Sequence, residues 1–273
     1  MDSRTSFSPP PLPVYRRISE QVAEGLFRRI VERCSARSKI GPPVLVLDLD
    51  GTLMDNRPRS IAILRDLGEL WRGKHPEASA ALLAASVEKL AYLLTDSLRR
   101  LKIVDPTLVA EATEYWRSRF FSDDDLRHDL ALTGGVSFVR TCHARGATVV
   151  YLTGRDLPMM GLGTFASLRT LGYPLGVAGV EIILKPDFNM ADEAFKRMVC
   201  PTLARVGEVV ASFDNEPANC NLFKEAFPEA DIVFVDTQHV PGAPPLRDDI
   251  PVIVDFAAAR ASSPSVPPEE GEQ

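Results

Sequence analysis

The chain has 273 residues, 45% of them hydrophobic and 25% charged, with a formal net charge of -6, enough apolar content for one large packed domain or two modest ones. The acidic balance argues against general nucleic-acid affinity and leaves only a local basic cleft open. Cys34, Cys142, Cys200 and Cys220 are far apart with no C-x-x-C pair, so neither a zinc site nor a disulfide framework is indicated, and no stretch has the apolar length of a signal segment or of a membrane span, about 18 residues.

Residues 1–13 and 259–273 are polar and proline-rich and read as disordered tails. From Val14 to Arg37, Ile18, Val22, Leu26, Ile30 and Val31 recur at helical spacing and predict an amphipathic helix. VLVL, at 44–47, is a buried strand. After it the pattern turns helical. Ile61, Leu64, Leu67 and Trp71 mark one helix, Leu83, Val87, Leu90, Leu94 and Leu98 a second and longer one, and Asp105-Pro106 caps a third. Residues 56–131 are thus expected to form an all-helical insertion in a core made of 14–55 and 132–258. From Gly134 the chain alternates again: VSFVRTCHARG as helix, ATVVYLTGR as strand, GTFASLRTLG as helix, VEIIL as strand, ADEAFKRMVC as a helix broken by Pro201, EVVASFD as strand, NLFKEAF as helix, DIVFVD as strand, and IPVIVDF as a last strand. The expected fold is α/β, a doubly wound Rossmann-like parallel sheet with the helical insertion after its first strand.

Three strands end in polar residues: DLDGT after VLVL, TGRD after VVYL, and DNEPAN after VVASF. Carboxyl ends of parallel strands face the ligand crevice. In an extended chain Asp48 and Asp50 point the same way, and two carboxylates about 4 Å apart repel by roughly 4 kcal/mol at an effective dielectric near 20. A divalent cation would compensate, with Gly51-Thr52 supplying a tight turn and a hydroxyl beside it.

Together with a lysine, the set of Asp48-x-Asp50, Thr153 and Asp214 resembles the haloacid dehalogenase superfamily over roughly residues 44–236. The resemblance implies a hydrolase that acts on a small phosphate ester through an aspartyl-phosphate. Asp48 would be the nucleophile. Asp50 would be acid and then base, retaining its proton near neutral pH. Thr153 would bind the transferring phosphoryl group, and Mg²⁺ would be held by Asp48, the backbone carbonyl of Asp50 and Asp214. An acidic residue at position 50 resembles the phosphatase and phosphomutase form. The helical insertion is similar to a type-one cap that closes over small substrates and excludes water.

Some assignments stay open at the level of sequence. Lys185, directly after strand EIIL and before Pro186, is the expected site lysine, with Lys196 the alternative on the flank of a helical stripe. Gly154 and Arg155 of the less usual TGR motif are substrate-binding candidates, with an ion pair as the other reading of Arg155. Arg57 and Arg59, at the insertion's entrance, are expected either to recognise an anionic part of the substrate or to be solvated. Asn215 and Glu216 stand where a second acid is usual. His75, His128, His143 and His239 read as surface or packing residues. A cytoplasmic Mg²⁺-dependent phosphomonoesterase is the leading expectation. A phosphomutase or phosphotransferase, a nucleic-acid end phosphatase and a non-catalytic scaffold are the alternatives, and oligomeric state is not legible.

Overall fold

A computed structural model describes residues 14–36 and 38–262, of which 260–262 by backbone alone; the tails expected at 1–13 and beyond 262 lie outside the described residues. The chain runs α1 (Glu20–Arg33), β1 (Pro43–Leu47), β2 (Met54–Asp55), α2 (Arg57–Trp71), α3 (Pro76–Leu83), α4 (Leu94–Arg100), α5 (Pro106–Phe120), β3 (Leu130–Ala131), α6 (Gly135–Ala144), β4 (Thr148–Asp156), α7 (Leu157–Leu171), β5 (Val180–Lys185), α8 (Asp192–Val206), β6 (Glu208–Asp214), α9 (Pro217–Ala226), β7 (Asp231–Val235) and β8 (Val252–Ile253). Six strands form one parallel sheet in the order β5-β4-β1-β6-β7-β8.

Alternation along the strands feeds two cores, one on each face of the sheet. Leu45, Leu47, Val149 and Tyr151 pack with Phe27, Ile30 and Phe138 on one face. Val44, Val46, Val150 and Leu152 pack with Phe195, Val199, Leu203 and Phe223 on the other, under α8 and α9. β6 carries a register shift: Val44 pairs with Val209, but Leu45 pairs with Ala211 and Leu47 with Phe213. One step further, that shifted register sets Asp48 beside Asp214, and the amide of Asp48 donates to the carbonyl of Phe213 at 3.1 Å. An extra residue in a strand reverses the facing of the positions beyond it, and here it brings two carboxylates from different strands together.

Between β2 and β3, which pair antiparallel as a two-stranded base, the helical insertion has its own core of Ile61, Leu64, Leu67, Trp71, Leu82, Leu98 and Ala112. The long second helix expected from Leu83 to Leu98 is instead α3, a 3-10 turn at Val87–Lys89 and α4. The intervening segment bonds to side chains in place of helical partners. Ser97 Oγ accepts from the Ala91 amide and donates toward the Leu93 carbonyl, and Arg100 and Gln238 both donate to the Leu90 carbonyl. Side-chain partners of this kind let a helical periodicity run through a non-helical loop.

Two further boundaries differ from the sequence reading. α8 continues through Pro201 to Val206, because Pro201 and Arg197, whose carbonyl loses its partner, lie on the exposed face where water replaces the bond. The expectation of a disordered tail from 259 fails for its first residues, since Ala257–Ser262 form a 3-10 turn and Ala259 is buried. Among the described residues no helix is long and apolar enough to cross a membrane.

Candidate active site

A cleft of about 800 Å³ opens at the carboxyl edge of the sheet, below the insertion, and its lining includes Asp48, Asp50, Thr153, Gly154, Arg155, Lys185, Lys196 and Asp214. The polar strand ends picked out by sequence are therefore one locus. The two lysines have different partners. Lys196 donates to Asp48 Oδ1 at 2.8 Å and to Asp214 Oδ2 at 2.6 Å, whereas Lys185 donates to Asp192 Oδ1 at 2.7 Å. The lysine beside Asp48 is thus Lys196, contrary to the expectation for Lys185. The cause is strand order. Lys185 ends the edge strand β5, separated from β1 by β4, about 9 to 10 Å to the side at ordinary strand spacing. Lys196 comes down from α8, which covers the face toward which Asp48 points.

The sequence held a signal for Lys196. The buried positions of α8 are Phe195, Lys196, Val199, Cys200 and Leu203, while Met198 is 56% exposed; the lysine belongs to the stripe itself. A lysine within a buried stripe requires anionic partners.

Burial pushes the Asp48 carboxyl up to about 7, opposed by Lys196 and reinforced by Asp214 and Asp50. Burial by itself would lower the Lys196 ammonium, but Asp214 and Asp48 outweigh it and hold it above its ordinary value. Asp214 Oδ1 accepts from the Glu216 amide at 2.9 Å and from Asn219 Nδ2 at 3.1 Å. Asn215 fastens the loops: its Oδ1 accepts from Thr52 Oγ1, its Nδ2 donates to the Gln238 carbonyl at 2.6 Å, and a Cβ on Gly51, at φ +75°, would come within 2.4 Å of that nitrogen. The non-acidic residue after Asp214 therefore has a structural occupation. Glu216 accepts from the Val240 amide, and burial raises its carboxyl to about 8.

Asp50 sits in a second network. A register break between Thr153 and Asp156 in β4 lifts Gly154 and Arg155 out of the ladder. Arg155 Nε donates to Asp50 Oδ2 at 2.6 Å, and its Nη2 to Asp50 Oδ1 at 2.9 Å and Asp129 Oδ2 at 2.7 Å. Arg59 donates to Asp50 Oδ1 at 2.7 Å and grips both oxygens of Asp129 at 2.8 Å. Burial opposes ionisation of Asp50, yet Arg155 and Arg59, with a hydrogen bond from Asn56, outweigh it and hold the carboxyl well below the ordinary range. The proton that sequence reasoning asked Asp50 to retain has no support in this arrangement. Arg155 makes the ion pair that was its other reading, and its amide donates to Thr153 Oγ1 at 3.2 Å.

The two entrance arginines are spoken for. Arg59 lies on the buried side of α2, fully enclosed, outside the cleft lining. Arg57 lines the cleft but is bidentate on Asp55, 2.8 Å to each oxygen. Sequence spacing near the insertion's start could not reveal these partners, because Asp129 lies 70 residues from Arg59. Removing one member of a buried charge cluster costs about 3–5 kcal/mol, and a chain of this size loses about 2–4 °C in Tm per kcal/mol. Arg59→Met is therefore expected to lower Tm by roughly 10 °C in differential scanning fluorimetry, with partial recovery when Asp129→Leu is added; an unchanged Tm would show that the cluster contributes nothing to stability.

The charge count bears on a cation. Eight carboxylates and five cationic side chains line the cleft, a deficit that a dianionic phosphate would deepen. Among the described residues no group of three or more His, Cys, Asp or Glu side chains is arranged to hold a metal ion. The oxygen-only donors Asp48 and Asp214, with a backbone carbonyl, nevertheless suit a hard divalent cation. The balance depends on pH. Between pH 6 and 8.5 unfolded carboxyls are ionised throughout, while folded Asp48 and Glu216, raised to about 7 and 8, give up protons that favoured the fold. Metal-free stability should thus fall as pH rises through this window, on the order of 1 kcal/mol per group. Added MgCl₂ should raise Tm more at pH 8.5 than at pH 6; an equal shift at both would separate the cation from these carboxyls.

No protein-family model matches the chain, and the search of curated proteins gave no match. Solved structures do resemble it. The protein tyrosine kinase A (PtkA) of Mycobacterium tuberculosis is 14% identical over 81% of this chain and 97% of its own, with a TM-score of 0.50. A haloacid dehalogenase-superfamily hydrolase of Ehrlichia chaffeensis is 13% identical over 82% and 97%, with a TM-score of 0.44. A haloacid dehalogenase-like hydrolase of Streptococcus pneumoniae is 11% identical over 82% and 91%, with a TM-score of 0.43. At these identities the likeness is one of fold alone, an α/β core built on a parallel sheet.

Proposed function

We propose that the protein is a Mg²⁺-dependent phosphomonoesterase acting on a small phosphate ester. The observation that carries this reading is Asp48, at the end of the central strand, hydrogen-bonded to Lys196 and set beside Asp214 at the floor of the cleft. An Asp48 oxygen attacks phosphorus as the ester P–O bond breaks, giving an aspartyl-phosphate and an alkoxide that takes a proton from water and leaves as the alcohol. Water then attacks the intermediate, releasing inorganic phosphate and restoring Asp48. Lys196 offsets charge at Asp48 and the phosphoryl oxygens. Thr153 and Gly154, which line the cleft, would donate hydrogen bonds to those oxygens. Asp50, kept ionised by its two arginines, suits the base role toward water better than the acid role toward the leaving group.

Asp48, Asp214 and the Asp50 carbonyl would hold Mg²⁺, which when bound neutralises the carboxylates and polarises phosphoryl oxygens. The helical insertion acts as the cap. Tyr92, on its loop, and Glu216 of the core line the same cleft, so closure would bring the insertion against the acidic motif. A hydrolysis panel of phosphate esters with MgCl₂, run beside an Asp48→Asn blank, tests the reading: release of phosphate from no ester at all would refute it.

A further inference from the structure

The cleft's outer wall is built differently from its floor. Trp116, Phe120 and Phe121 of the insertion, Tyr92 and Leu93 of its loop, and Phe188 after β5 all line it. Tyr92 and Leu93 are 44% and 45% exposed. Trp116 stacks on Phe120 at 4.3 Å and donates its indole N–H to Ser60 Oγ at 3.0 Å. The enclosed Arg59 guanidinium covers Phe120 at 4.3 Å. Phe121 meets Phe188 edge-on at 5.1 Å, joining insertion to core. The wall is thus fixed in advance, and little ordering remains to oppose binding.

The charged lining points the same way. Each of the five cations is already paired: Arg17 with Asp236, Arg57 with Asp55, Arg155 with Asp50 and Asp129, Lys185 with Asp192, Lys196 with Asp48 and Asp214. Among the described residues a second phosphate or a carboxylate on the substrate would find no unpaired cation in the cleft lining and several carboxylates. At about 800 Å³ the cleft is within the usual range for an organic ligand and far larger than a phosphoryl group needs.

From this wall, and resting on the phosphomonoesterase reading, we propose that the substrate is a phosphate monoester whose non-reacting part is an uncharged planar aromatic group, seated between Tyr92, Trp116, Phe121 and Phe188. Aromatic faces and edges recognise such a ring by offset and edge-to-face contact. The preference is read in KM and Kd, because aryl oxides leave more readily than alkoxides and inflate kcat by themselves.

The test uses the full chain with MgCl₂. Calorimetric titration with phenylphosphonate and with ethylphosphonate, neither hydrolysable, is expected to give at least tenfold tighter binding of the phenyl compound. KM for 1-naphthyl phosphate should be at least tenfold below that for glycerol 3-phosphate. Trp116→Ala should raise the first KM about tenfold and leave the second within twofold. Phe188→Ala, on a half-buried core loop, should do the same should Trp116→Ala fail to fold. Phosphatase activity with less than threefold selectivity in both binding and KM overturns the inference while sparing the phosphomonoesterase reading. Phenyl-selective binding without turnover of any ester supports the aromatic site and defeats that reading instead.

Discussion

Asp48→Asn is expected to lower kcat/KM for 4-nitrophenyl phosphate by 10⁴-fold or more, on the order seen when a nucleophile is removed, with the fold intact. The substitution keeps the shape of the side chain and deletes one charge. Lys196 retains Asp214 at 2.6 Å, so no buried ammonium is stranded, and Tm should shift by only a few degrees. Because 4-nitrophenolate needs no proton to leave, the assay isolates the attack on phosphorus. Phosphate release by the variant at near wild-type rate would rule out the aspartyl-phosphate mechanism, and a collapse of Tm would make the lost activity uninformative.

The second large effect separates the two lysines. Lys196→Ala removes the one ammonium hydrogen-bonded to both Asp48 and Asp214, which leaves two neighbouring buried carboxylates without it. A loss of roughly 3 kcal/mol in transition-state stabilisation, on the order of a hundredfold in kcat/KM at saturating MgCl₂, is expected. Lys185→Ala should stay within threefold, because Lys185 is paired with Asp192, whose side chain is 56% exposed, and water can replace that partner. The opposite ranking, with Lys185→Ala crippled and Lys196→Ala near wild type, would return the role to the strand-end lysine.

The amino-acid sequence by itself determined most of the strands and helices through short-range periodicity, the segment between Leu83 and Leu94 being the exception. Apolar runs of strand length, each closed by Asp, Thr or Asp, place Asp48, Thr153 and Asp214 at carboxyl ends of parallel strands, and those ends meet at one edge once the sheet forms. The N-cap at Asp105 and the stop at Gly172 are likewise local, since a cap or a left-handed glycine acts within one turn of its own helix. The tertiary structure alone decided the partners of the long charged side chains. Arg59 looks like an entrance arginine until Asp129, far along the chain, is brought beneath it. Lys185 looks like the site lysine until strand order sets β4 between it and Asp48. The pairing of Asp48 with Asp214 depends on a single extra residue in β6, which no local pattern marks. The physical reason is common to all three: a lysine or arginine carries its charge at the end of a long flexible stem, and the desolvation cost of burying that charge is offset only by carboxylates that strand order and register deliver from elsewhere in the chain.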